Sequence, residues 1–97
     1  MGEVITEQPV MHISDGGVKE WRLNGKRHRA DGPAYIGGNI QTWYLNGKRH
    51  RADGPAYING DYQEWCLNGE NYTFNEWLVK LKATPEEKTM LRLKWAK

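Results

Sequence analysis

Two tetrads of side chains stand out as capable of chemistry: Lys26-Arg27-His28-Arg29 and Lys48-Arg49-His50-Arg51. Cationic groups clustered in this way can hold phosphates or the acidic surface of a protein. An aspartate, Asp31 or Asp53, follows each tetrad. That arrangement offers a second use. Arg29 with Asp31, and Arg51 with Asp53, can brace their own turn through charge-assisted hydrogen bonds, while His28 and His50 bond a neighbouring backbone group. The two uses divide the residues. Lys26, Arg27, Lys48 and Arg49 are expected to stand exposed in basic loops and to meet a partner. His28, Arg29, Asp31, His50, Arg51 and Asp53 are expected to hold the chain together.

Other chemistries find less support. His12, His28 and His50 are scattered singly, and Cys66 is the only thiol, so no Cys/His pair has metal-ligand spacing. No metal or cofactor is expected. The chain lacks a nucleophile elbow, a phosphate-cradling glycine loop and any pair of carboxylates that spacing alone would defend as catalytic, so an enzyme is not expected. The five tryptophans and five tyrosines could stack on nucleic-acid bases. The spacing of three of those tryptophans points elsewhere.

Leu23 to Ile36 reads LNGKRHRADGPAYI, and Leu45 to Ile58 repeats it without change 22 residues later. Trp21, Trp43 and Trp65 keep the same period. A fixed period of this length marks a repeat architecture, in which a repeated residue does a repeated structural job. Ile40–Leu45 alternates in the manner of a strand with two unlike faces. Trp43 and Leu45 share one face, and their copies recur in every unit, so this is the expected core face. The position between them is Arg22, Tyr44 or Cys66. It belongs to the opposite face, beside Glu20, Thr42 and Glu64. That face differs from unit to unit and is the expected contact surface, with Arg22 and Tyr44 as its partner-binding residues.

Each such strand ends in Asn-Gly, which tolerates positive φ at both central positions of a tight reversal. Asp31-Gly32-Pro33 and Asp53-Gly54-Pro55 are second turn signals. Together they predict three β-hairpins over residues 9–23, 33–45 and 55–67. Stacked, they make an antiparallel meander in a sheet region spanning 1–72. Residues 73–97 change period. Thr73-Phe74-Asn75-Glu76 is a capping box that predicts a short helix through about Lys82. Thr84-Pro85-Glu86-Glu87 starts a second helix, which places Leu91 and Trp95 on one face and Arg92, Lys94 and Lys97 at its C-terminal end. The fold class predicted is mainly β with a C-terminal α appendage. About three stacked 22-residue hairpins are capped by two short helices.

Net charge is +2 and unevenly placed: residues 1–20 carry −3, residues 21–69 carry +3 and residues 70–97 carry +2. The middle is mildly basic, well short of a dedicated nucleic-acid tail. A single cysteine excludes an intramolecular disulfide scaffold. The N-terminus has no apolar signal stretch, and no run approaches the length of a membrane span. A cytoplasmic protein with no membrane contact is expected.

The unit W-x-L-N-G-K-x-H-R-x-D-G-P-A-x-I resembles the MORN-type repeat and its relatives in YwqK-like antitoxin-module proteins. The resemblance covers roughly Pro9 to Gly69. Together with the helical tail, the chain resembles small proteins of tailed bacteriophages. Standard MORN units open on an aromatic-x-Gly pattern. This chain has Trp-x-Leu-Asn-Gly instead, with an added His-Arg-x-Asp-Gly-Pro segment. The resemblance implies a scaffold or interaction module rather than a catalyst. For a phage-encoded chain it implies a modulator or inhibitor of a host protein, defence proteins included, acting by binding and occlusion. Two alternatives stay open: nucleic-acid binding through the repeated basic loops, and homodimerisation or self-assembly through an exposed sheet edge.

Overall fold

The computed structural model describes residues 8–96. The first seven residues of the expected sheet region, and Lys97 of the expected second helix, lie outside them. Among the described residues the strands are β1 (Val10–Ile13), β2 (Lys19–Leu23), β3 (Lys26–Arg27), β4 (Tyr35–Gly37), β5 (Ile40–Thr42), β6 (Tyr44–Leu45), β7 (Lys48–Arg49), β8 (Tyr57–Asn59), β9 (Tyr62–Leu67) and β10 (Glu70–Tyr72). Helices α1 (Phe74–Lys80) and α2 (Pro85–Trp95) follow. Neither is long and apolar enough to cross a membrane.

The Asn-Gly pairs do what their chemistry allows. Asn24 and Gly25 have φ of 54° and 78°, Asn46 and Gly47 of 52° and 81°, and Asn68 and Gly69 of 51° and 86°. Two consecutive residues with positive φ form the turn whose twist matches a hairpin. Each turn therefore folds the next residues back as a strand. Leu23 pairs with Lys26, Leu45 with Lys48, and Leu67 with Glu70. This corrects the expectation of basic loops: Lys26, Arg27, Lys48 and Arg49 are strand residues. Two-residue strands are too short to show a period in the sequence.

The three larger hairpins are β1–β2, β4–β5 and β8–β9. They join side by side through β2–β4 and β5–β8, giving the antiparallel order β1-β2-β4-β5-β8-β9-β10. The short return strands form a second row. Arg29 N donates to Tyr44 O at 3.1 Å and Gly47 N to Arg27 O at 2.9 Å, and Arg51 N to Cys66 O at 3.2 Å and Gly69 N to Arg49 O at 2.8 Å repeat the pattern one unit on.

Each repeat tryptophan needs a cover, and the chain supplies two kinds. Arg29 lies 3.9 Å above the Trp21 ring, and Arg51 lies 3.9 Å above Trp43. The third unit has no such arginine. There the helices take over, and Trp65 meets Phe74, Trp77 and Trp95 with ring centroids 4.8, 4.7 and 5.8 Å away. Trp65, Trp77, Leu78 and Leu81 form the buried core, with Leu91 and Trp95 packed against it. Both helices start on complete capping boxes, at Thr73 and Thr84. The first ends at Lys80, with Leu81 turned into the core as its C-cap. The helical pair thus caps the Trp65 face of the last unit. Along the outer edge of Tyr62–Glu64, by contrast, no described strand is paired.

Candidate functional site

The face opposite the tryptophans gathers arginines, tyrosines and two glutamates. Strand register sets them side by side: Arg22 opposite Arg27, Glu20 opposite Tyr35, and Tyr57 opposite Glu64. Glu20 lies 3.1 Å from Arg22 Nη2 and 3.3 Å from Arg27 Nε. Arg27 also donates to the Tyr44 hydroxyl at 3.3 Å, with its guanidinium 4.9 Å from the Tyr35 ring centre. One unit further, Arg49 Nη1 lies 2.9 Å from Glu64, and its guanidinium stands 4.8 Å from the Tyr57 ring. The Tyr62 hydroxyl donates to Glu64 at 2.6 Å, and its ring meets Tyr57 edge-on at 6.0 Å. The result is a cross-linked lattice of planar groups on one face of the sheet.

Charge within the lattice is largely compensated. Partial burial works to raise the pKa of Glu20, but the Arg22 hydrogen bond and the Arg27 charge outweigh it and hold the carboxyl below its ordinary value. A depressed carboxylate pKa stabilises the fold above the unfolded-state value, and that contribution fades as pH falls through the lowered one. Protonation of Glu20 in acid therefore loosens this part of the lattice.

The six residues expected to bind a partner separate into two groups. Arg22, Arg27, Tyr44 and Arg49 lie together in the lattice. Arg27 and Arg49 are only partly exposed, against the expectation of free cations, because Glu20, Tyr44 and Glu64 engage them. Lys26 and Lys48 are exposed. Their stems run beside the next unit's turn: a Cβ on Gly47 would sit 3.5 Å from Lys26 Cδ, and one on Gly69 would sit 3.7 Å from Lys48 Cβ.

The remaining residues of the tetrads face their own chain. His28 Nδ1 accepts from Asn46 N at 2.9 Å, and His50 Nδ1 accepts from Asn68 N at 3.0 Å. Each imidazole thereby holds the next unit's Asn-Gly turn, which requires Nδ1 to be unprotonated. Arg29 Nε lies 3.0 Å from Asp31, and Arg29 Nη1 donates to Pro33 O at 3.1 Å. Arg51 repeats both contacts, at 2.8 Å to Asp53 and 3.0 Å to Pro55 O. Among the described residues no three of His, Cys, Asp and Glu converge on a point that could hold a metal.

Cys66 departs from the expected contact face. It is fully buried, and its Sγ donates to Asn71 Oδ1 at 2.9 Å. Position 22 is exposed at the array's beginning, whereas position 66 lies between β7 and β10. Burial pushes the thiol pKa up. The thiolate is the reactive form. Native protein at neutral pH should therefore react with a thiol reagent at least about tenfold more slowly than urea-unfolded protein. Equal rates would show that the site is open.

Tyr35, Tyr57 and Tyr62 belong to the lattice although the strand alternation did not mark them. For Tyr35 and Tyr57 the signal is the repeat itself, since they sit at the same place in both copies as Arg27 and Arg49 do, whereas Tyr62 stands where the earlier units have Val18 and Ile40 and carries no such signal. No family model, curated protein or solved structure matches this chain.

Proposed function

We propose that this chain is a non-enzymatic protein-interaction module, with the tyrosine–arginine face as its contact surface. The observation that carries this reading is the lattice of Arg22, Arg27, Tyr35, Tyr44, Arg49 and Tyr57, ordered by Glu20 and Glu64. Tyrosine and arginine dominate the energetic centres of protein interfaces. Side chains already fixed before binding lose less rotamer freedom on contact. The phage resemblance makes a bacterial host protein in the cytoplasm, defence proteins included, the partner class, with occlusion of its working surface as the mode of action.

The nucleic-acid reading asks for uncompensated cations, because phosphate binding draws its free energy from charge neutralisation and counterion release. Arg22 and Arg27 share the Glu20 carboxylate and Arg49 pairs with Glu64, so two of these three charges are compensated, and Lys26 and Lys48 are the exposed cations of the two tetrads. This favours the protein reading. The test is tagged recovery of partners from bacterial lysate with the native chain and with a Tyr44→Ala, Arg22→Glu variant whose circular dichroism is unchanged. One protein held in stoichiometric amount by the native chain and lost by the variant is the expected result. Equal recovery by both would rule the face out as the contact surface.

A further inference from the structure

Among the described residues the array lacks one strand pairing at each end, and the two gaps are complementary. Inside the sheet the first strand of each later hairpin lies between two others: β4 between β2 and β5, and β8 between β5 and β9. At the beginning, β1 occupies the same place, since His12 pairs with Glu20 as Tyr35 does with Thr42 and Tyr57 with Glu64. Yet among the described residues β1 has a strand on one side only, and all four of its residues are exposed, with Val10 and Ile13 at 59%. At the far end, Tyr62–Glu64 of β9 pairs with β8 but has no described strand on its outer edge, where β2 receives β4 and β5 receives β8. A groove of about 360 Å³ runs there, between Tyr62–Glu64 and Tyr72, Thr73 and Glu76.

We infer that a second copy of this chain fills that groove, its β1 pairing antiparallel with β9 so that the repeat continues from molecule to molecule. This edge adjoins the tyrosine–arginine face and shares Tyr62 and Glu64 with it, but the inference rests on the open backbone edge and not on that reading. The internal seam fixes the register. Gln41 faces Ile58 and Thr42 faces Tyr57 where β5 meets β8. By the same spacing, Gln63 of one copy faces Ile13 of the next, which reproduces the Gln–Ile pair, and Glu64 faces His12. Val10–Ile13 itself contains no lysine or proline to discourage pairing, Pro9 standing just before its first residue. The contact is heterologous, using unlike surfaces on the two copies, and so it can propagate.

Engineered cysteines test the register directly. Within one molecule Ile13 and Gln63 are five strand spacings apart, about 24 Å, far beyond the roughly 7 Å that a disulfide spans. Any disulfide between positions 13 and 63 must therefore join two copies. Under mild oxidation the Ile13→Cys, Gln63→Cys chain should form a ladder of covalent oligomers. Mixing the two single variants should stop at a crosslinked dimer, and the off-register Ile13→Cys, Glu64→Cys chain should give little product. The native chain, with Cys66 buried, should show in sedimentation a mass that rises past the dimer as concentration is raised. A native chain that stays monomeric at every concentration, or equal crosslinking in and out of register, would overturn the inference.

Discussion

Trp77→Ala is expected to remove about 3–5 kcal/mol of stability, the range for truncating a fully buried aromatic side chain. Trp77 is completely buried, packs against Trp65 and Phe74, and donates its indole N–H to Arg51 O at 3.0 Å. A domain of this size holds about 5–15 kcal/mol in total, so the variant should melt about 15–30 °C lower or fail to fold at 37 °C. The loss has a particular cause. Trp77 joins the helical cap to the loop of the second repeat, and without it Trp65 loses part of its cover. Urea titration followed by far-ultraviolet circular dichroism measures the change. A loss below about 1 kcal/mol would mean that the cap is not what holds the last unit.

The duplication supplies its own control for the second prediction. Arg29 and Arg51 make the same hydrogen bonds and lie at the same distance over their tryptophans, but their surroundings differ. Arg51 is the less exposed, 13% against 23%, and lies also 5.5 Å from the Trp95 ring. Trp95 in turn donates its indole N–H to Asp53 O at 3.0 Å. Arg51→Ala should therefore cost about 3 kcal/mol, through lost charged hydrogen bonds and ring contacts, and Arg29→Ala roughly half of that. Unfolding titrations of the two variants side by side decide the matter. Equal losses would show that the helices add nothing to the second loop. The neighbouring glycines should follow the same order. A Cβ on Gly54 would meet Arg51 and Trp95 atoms at 2.7–2.8 Å, whereas one on Gly32 would meet only Arg29, at 2.9 Å.

Local chemistry made the outline of this fold legible. Asn-Gly dictates positive φ twice in succession, so the three tight turns could be placed without coordinates. Thr73 and Thr84 announced both helices, because a capping box satisfies two backbone donors within four residues. What stayed hidden depends on contacts between distant segments. Lys26–Arg27 looks like a loop until the Asn24-Gly25 turn lays it against Arg22 and Leu23. Arg27 and Arg49 looked like free cations because their neutralising groups, Glu20 and Glu64, lie 7 and 15 residues away in sequence. Cys66 shared a strand position with the exposed Arg22 but lies at the other end of the array, where flanking strands bury it. The repeat told which residues do the same job, and the register was needed to tell what each one touches.

Of the measurements that bear on the proposed role, recovery from lysate before and after nuclease treatment is the most direct. The tagged chain is captured from bacterial lysate, half of it digested with nuclease, and the bound proteins are weighed against the bait by mass spectrometry. The tyrosine–arginine face predicts one partner near equal stoichiometry in both halves. A partner that disappears with nuclease would return the contact to Lys26 and Lys48 and contradict a protein-binding face.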